Sequence, residues 1–376
     1  MGRGVPAIAV VAIVSLACGQ MPVVVDATSP NASAATATTT ASRPAAETAT
    51  LRLVASIQKA NPKGDSGITA LAESFDGKLL AWGDLRGTVR LHSFEDNKTS
   101  TVLDLSDSDI TDRRTVRDLA FDKEGQLWWV DVSRNIYRCA LSQGKGTEIK
   151  KVAVAVETNV VSSNLLPWGV LSTDAKLAWP PKEYLRLFEV EVGKVHESDI
   201  VFPGQRGVNE LVQHAIRSPD GKLLMVVADG DAALLSLPDM KILRRFGQGW
   251  GESAAFSPSS RLVALGTDGR GVFVWEAETG KAVKHIPLRR AAVIYSVAFV
   301  GEDVLYAADY PLRRIDLKTG TIDPVAKVNA CVLLLSRSGD LLFVGTNEGG
   351  LEVYALPPMD VQPKQPTTLP TSPAAR

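Results

Sequence analysis

Three cysteines and four histidines occur in a chain of 376 residues, so thiol and transition-metal chemistry have little material to work with. Aromatic residues make up only 6%. Neither charge dominates: 41 Lys and Arg face 42 Asp and Glu, for a formal net charge of −1. No overall field draws such a chain to nucleic acid or to an anionic membrane, and nucleic acid is excluded as a partner. Hydrophobic residues at 45% are ample for a folded core and exclude wholesale disorder. Catalytic signatures are missing too. No G-x-S-x-G elbow is present, and Glu252-Ser253 in GWGESAAF has no histidine near it in the sequence. The glycine-rich turn Gly247 to Gly251 lies between two expected strands and so lacks the helix N-terminus a phosphate cradle needs. His92, His196, His214 and His285 fall far apart, with no two at ligand spacing. The acidic run Asp104 to Asp112 reads as a solvated connection. No cofactor, no metal and no catalytic residue are expected.

Residues 1–18, MGRGVPAIAVVAIVSLAC, place one basic residue, Arg3, before an apolar stretch and a small-residue end. That is the layout of an export signal. The run Ser15-Leu16-Ala17-Cys18-Gly19 resembles the lipobox of bacterial lipoproteins, with Ser15 where leucine is usual. The resemblance implies that Cys18 is the lipidated first residue of the mature chain. Cleavage after Ala27 and an uncleaved anchor over Val5 to Val25 are the alternatives. The first reading puts the protein in the cell envelope, membrane-anchored and facing periplasm or exterior; the second gives a soluble periplasmic or secreted form. Two sequons, Asn31-Ala-Ser and Asn97-Lys-Thr, matter only on a eukaryotic route. Residues 19–50, rich in Ala, Thr, Ser and Pro, read as a disordered tether, and 357–376 as a disordered Pro-rich tail.

Between them, over 51–356, one pattern recurs: an apolar run, a turn with Asp or Gly, a β-rich run, a second such turn, and a third run. The clearest copies start at Ile68, His214, Ala254 and Leu333. Aligned first turns put Gly77, Gly125, Ala175, Gly221, Ser260, Glu302 and Gly339 in register, on average roughly 44 residues apart, the period of a four-stranded propeller blade. Stretches such as TSTVLDL (99–105), KILRRF (241–246) and KAVKHIPL (281–288) supply fourth strands.

SPDGKLL at 218–224 and GTDGRGVFVWE at 266–276 resemble the WD-repeat β-propeller family. The resemblance implies an all-β, seven-bladed β-propeller of four-stranded antiparallel blades, closed by an N-terminal strand at 51–57. Only Trp275 fills the family's terminal Trp place; His92, Tyr137, Leu187, Leu235, Ile315 and Tyr354 stand near it elsewhere. The Gly-His dipeptide ahead of each first strand is absent, so apolar packing must replace the family's polar network. Cys139 and Cys331 fall in units separated by another, which predicts two free thiols.

One rim of such a ring gathers the second turns and the connections between units. Arg86, Arg134, Arg206, Trp250, Arg270, Arg289, Arg290 and Tyr310 map there, residue types enriched at binding hot spots. The expected function is a non-enzymatic, monomeric scaffold that binds an unknown protein or peptide and meets the membrane through its N-terminal lipid. The alternative is a propeller enzyme or small-ligand carrier using the central channel, against which the largely apolar first strands count.

Overall fold

The computed structural model describes residues 51–59, 67–104, 115–122, 124–131, 135–142, 145–154, 170–171, 177–179, 184–189, 194–201, 212–228, 231–237, 239, 241–247, 251–288 and 293–357. The calls on residues 1–50, Ala175 and the tail from 358 lie outside them. Every described element is a strand, and every recorded strand pair is antiparallel.

Strand β1 (Arg52–Gln58) opens the chain's described part. The first blade follows as β2 (Ile68–Glu73), β3 (Leu79–Asp84), β4 (Val89–Ser93) and β5 (Lys98–Leu103). The second holds β6 (Val116–Phe121), β7 (Leu127–Asp131), β8 (Asn135–Ser142) and β9 (Lys145–Val154). A smaller sheet contains β10 (Val170–Leu171), β11 (Leu177–Trp179), β12 (Tyr184–Glu189) and β13 (Lys194–Val201). Then come β14 (Val212–Arg217), β15 (Leu223–Ala228), β16 (Asp231–Ser236) and β17 (Ile242–Arg245). The next blade is β18 (Gly251–Phe256), β19 (Leu262–Thr267), β20 (Gly271–Glu276) and β21 (Ala282–Ile286), followed by β22 (Ser296–Val300), β23 (Val304–Ala308), β24 (Leu312–Asp316) and β25 (Ile322–Ala326). Last are β26 (Ala330–Leu335), β27 (Leu341–Thr346) and β28 (Leu351–Ala355), with β1 as their fourth strand.

The expectation of seven blades is corrected here: six sheets are full blades. The sheet β10–β13 is a rudiment, because β10 has 2 residues and β11 has 3. Among the described residues, only Val170 and Leu171 pair with β11, and only Leu177 and Ala178 pair onward to β12. The sequence gives the reason. Pro180-Pro181 follows Trp179 directly in the sequence, and proline donates nothing to a ladder, which disfavours a longer second strand in this unit. This unit is one of the weaker copies in the sequence, although its third run, YLRLFE, forms a full strand.

A second correction is one of register. The first turns take a left-handed residue at Gly77, Gly125, Gly221, Ser260 and Gly339, as aligned, but in the β22–β23 turn that residue is Gly301 and not Glu302. Glycine takes positive φ without steric cost, so the turn settles on it. Glu302 instead reaches the previous blade, accepting from the Ser259 N–H at 2.9 Å and the Ser259 hydroxyl at 2.7 Å.

The hydrophobic core lies between blades. Leu80, Trp82, Phe343 and Val353 fill the space between the last and first blades. Ala81, Leu91, Leu119 and Trp129 fill the next, and Met225, Leu234, Phe256 and Trp275 another. At the inner end the fit is a knob in a hole. A Cβ on Gly83 would overlap Val116 of the following blade, and one on Gly345 would overlap Ile68. Between β15 and β18 the sizes are reversed, since a Cβ on Gly251 would overlap Val227. Either arrangement lets neighbouring sheets approach closely at the crowded centre. Trp275 is buried against Phe246, ring centroids 4.4 Å apart, which is apolar packing where the family resemblance would place a polar network.

The ring closes through β1, paired with β28 from Arg52↔Ala355 to Gln58↔Leu351. Gln58 is the clasp. Its Oε1 accepts from Trp82 Nε1 of the first blade at 3.1 Å, and its Nε2 donates to the Gly349 carbonyl of the last blade at 2.6 Å.

Candidate functional site at the upper rim and channel mouth

The turns joining second to third strands leave the ring at one end, which we call the upper rim. In the first blade this turn is Asp84-Leu-Arg-Gly-Thr88. Asp84 is almost fully buried, and its Oδ1 accepts the N–H groups of Arg86 and Thr88 at 3.0 and 2.9 Å. Its Oδ2 pairs with Arg90 at 3.1 Å. Burial pushes the Asp84 carboxyl above its ordinary value, while the backbone donors and Arg90 pull the other way. The turn is also held from outside, by Leu85 N–H on the Gly67 carbonyl and by the Thr115 hydroxyl on the Leu85 carbonyl. Arg86 stands exposed on this fixed base.

The same construction presents two more residues. Thr267 donates its hydroxyl to the Gly271 carbonyl at 2.8 Å, closing the turn that exposes Arg270. Asp309 takes Arg313 Nε at 3.0 Å and presents Tyr310, which is 63% exposed. Arg86, Arg270 and Tyr310 therefore share the upper rim, each on a turn anchored by a strand-end Asp or Thr. The other rim residues expected from the sequence, Arg134, Arg206, Trp250, Arg289 and Arg290, lie outside the described residues. So does Cys18.

Sequence reasoning missed a second feature. Five inner strands carry a β-bulge at the same place, one residue from the upper end. The register skips at Thr69, Arg117, Gln213, Glu252 and Cys331. A bulge leaves its extra residue unpaired and re-aims it. The repetition sets five side-chain positions in a ring around the mouth of the channel. Two of them are locks. The Thr69 hydroxyl donates to the Val116 carbonyl of the next blade, and the Cys331 thiol to the Ile68 carbonyl at 3.1 Å. At the corresponding positions Arg117 and Glu252 are half-buried. Polar residues interrupting VRDLAF and GESAAF were the available signal, but alternation alone placed them in the sheet without revealing the bulge.

Desolvation dominates the electrostatics of this mouth. Burial pushes Arg117 down to about 8, so its cation is poorly hydrated, although a guanidinium keeps its proton in proteins. One residue past its bulge, His214 is pushed down to about 4 by burial and stays neutral at pH 7. Its Nδ1 accepts the Ala254 N–H of the neighbouring inner strand at 3.3 Å, which assigns the other ring nitrogen the proton. Ser296 does the same for Leu333 N–H at 3.1 Å. These bonds satisfy donors on inner-strand edges that have no further strand to pair with.

The arrangement suits recognition. Ser253, considered above as a nucleophile, is buried with its hydroxyl aimed at the Ile294 carbonyl, 3.5 Å away. Among the described residues, no group of three or more His, Cys, Asp or Glu side chains is placed to hold a metal ion. Cys139 is buried, Cys331 is half-buried, and neither is in a disulfide. No family model matches the chain, and neither does any curated protein. The β-propeller is therefore established by its blades alone.

Proposed function

We propose that this protein is an exported, WD-repeat-like propeller lipoprotein whose upper rim binds a protein or peptide. The observation that carries the reading is the shared construction of the three described rim turns. Each uses a strand-end Asp or Thr to fix the turn and leaves Arg86, Arg270 or Tyr310 outside. Arg and Tyr on rigid supports lose little side-chain freedom on binding and are typical hot-spot residues. The signal-like segment and Cys18 support anchoring at a membrane through lipid. The test is cross-linking in the native envelope with wild-type protein and with an Arg86→Ala, Arg270→Ala, Tyr310→Ala variant. A partner bound at the rim disappears from the variant's cross-links while the melting temperature stays the same. An unchanged set of cross-linked partners overturns the reading.

The channel mouth favours a second reading, a carrier of a small polar ligand. Its support is the bulges that set Arg117 and Glu252 at matching positions of two inner strands. Saturable binding of a small molecule that is abolished by Arg117→Leu, with the rim triple variant unaffected, distinguishes it.

A further inference from the structure

The outermost strands of two adjacent blades, β17 and β21, form a wall that combines exposed aliphatics with a cluster of cations. Ile242, Leu243 and Val283 are 37%, 49% and 45% exposed on it. Lys241, Arg244, Arg245 and Lys281 are exposed among them, as is His285. The two strands make one continuous surface, because Arg244 lies over Gly280, the residue before Lys281, so closely that a Cβ there would overlap its Cδ. Lys284 ties the far side of the wall to the next blade through the Leu317 carbonyl at 2.7 Å. Acidic groups border the wall: Asp239 and Glu278 are exposed in the turns that lead into β17 and β21, Glu276 accepts from the Thr279 hydroxyl, and Asp231 is bound to Arg245. Among the other described outer strands, β1 also exposes aliphatics, Leu53 at 51% and Val54 at 50%, but with Arg52 as the one cation in the strand. β5 reads KTSTVL with its two aliphatics half-buried, and β25 carries Asp323 and Pro324. In a chain of net charge −1 the wall is thus a local concentration of cations.

Cations on a free sheet edge commonly serve to prevent edge-to-edge pairing. That role does not account for three exposed aliphatics on the same strands, which favour association. Exposed aliphatics flanked by Lys and Arg match a different environment, the anionic bilayer surface, where cations meet phosphate and aliphatic side chains enter the headgroup region. We propose that the β17–β21 wall docks onto an anionic phospholipid surface, with Lys241, Arg244 and Lys281 against headgroup phosphates and Ile242, Leu243 and Val283 inserted between them. Because the wall is on the circumference, docking lays the channel axis along the membrane plane and leaves the upper rim open to a partner. The proposal rests on the anchored reading for bringing the wall to a membrane, and its test removes the anchor so that the two fail separately.

The test is co-sedimentation of the chain from Thr28 onward, which lacks both Cys18 and the apolar stretch Val5 to Val25, with vesicles of phosphatidylcholine, alone or mixed with phosphatidylglycerol. Binding is expected only with phosphatidylglycerol, and high salt releases it. Lys241→Gln and Lys281→Gln each lower partitioning about fivefold, while Lys98→Gln on β5 leaves it unchanged. Leu243→Ser and Val283→Ser lower it further, at an unchanged melting temperature. If either serine variant melts lower, the two exposed lysine variants carry the test alone. Equal binding to neutral vesicles, no binding to either, or indifference to the lysine variants overturns the proposal. Capture of poly-glutamate without any vesicle binding also overturns it, in favour of an acidic peptide.

Discussion

Replacing Gln58 with methionine tests how the ring is held shut. The substitution keeps length and apolar stem but removes both hydrogen-bonding groups. Trp82 is fully buried, so its Nε1–H loses its acceptor inside the fold. The Gly349 carbonyl loses its donor at the same time. An orphaned buried donor costs about 1–3 kcal/mol, more than the net value of the bond itself. For a domain of this size that corresponds to a fall in Tm of about 2–6 °C. Urea unfolding should show a lower midpoint at unchanged slope, since the native surface barely changes. The decisive comparison is made in a Trp82→Phe background, where no indole donor remains to be stranded. There Gln58→Met should cost markedly less, with a coupling of about 1 kcal/mol or more between the two sites. Strictly additive effects, or a Gln58→Met protein that unfolds like wild type, would refute the clasp.

Other perturbations probe the ring, the pH response and the anchor. Removing residues 1–48 should leave stability unchanged, whereas removing 1–57 strips β1 from β28 and should cause aggregation or a large loss of Tm; equal melting of both truncations places the closure elsewhere. His214 is neutral in the fold down to about pH 4, while the unfolded chain takes up its proton below about 6.5, so the unfolded state binds more protons in that window. Stability should therefore fall by up to about 2–3 kcal/mol as pH drops from 6.5 to 4, and His214→Gln should flatten that part of the profile measured by urea unfolding. Gly83→Val should destabilise by roughly 2–3 kcal/mol through overlap with Val116, and adding Val116→Gly should recover part of it, because β15 and β18 use that reversed arrangement; a double variant worse than the single one refutes the knob-and-hole account. Cys18→Ser should release the protein from membranes washed in high salt while wild type remains, and an unreleased variant refutes lipid anchoring at Cys18.

Alternation and turn chemistry in the sequence were sufficient to specify the blades. SPDGKLL forms its turn through local bonds, Ser218 Oγ to Asp220 at 2.7 Å and Leu223 N–H to Ser218 Oγ at 2.9 Å, so the same few residues fold alike wherever they recur. The closing strand was legible because LRLVASI is a strand with no partner of its own and the last unit lacks one. Rim residues Arg86, Arg270 and Tyr310 could be placed because turns project outward whatever the packing. Blade number was not legible: an intact third strand cannot reveal that its neighbours are two and three residues long. The bulges at Thr69, Arg117, Gln213, Glu252 and Cys331 were not legible either. A one-residue slip is set by the distance between neighbouring inner strands at the crowded centre, and no local pattern encodes that distance. The same holds for the Gly83–Val116 and Val227–Gly251 contacts, Gln58 against Trp82, and Arg244 over Gly280. Each joins residues of different sheets, so local rules wrote the strands and turns, while steric fit between sheets decided where the clasp, the channel mouth and the charged wall would stand.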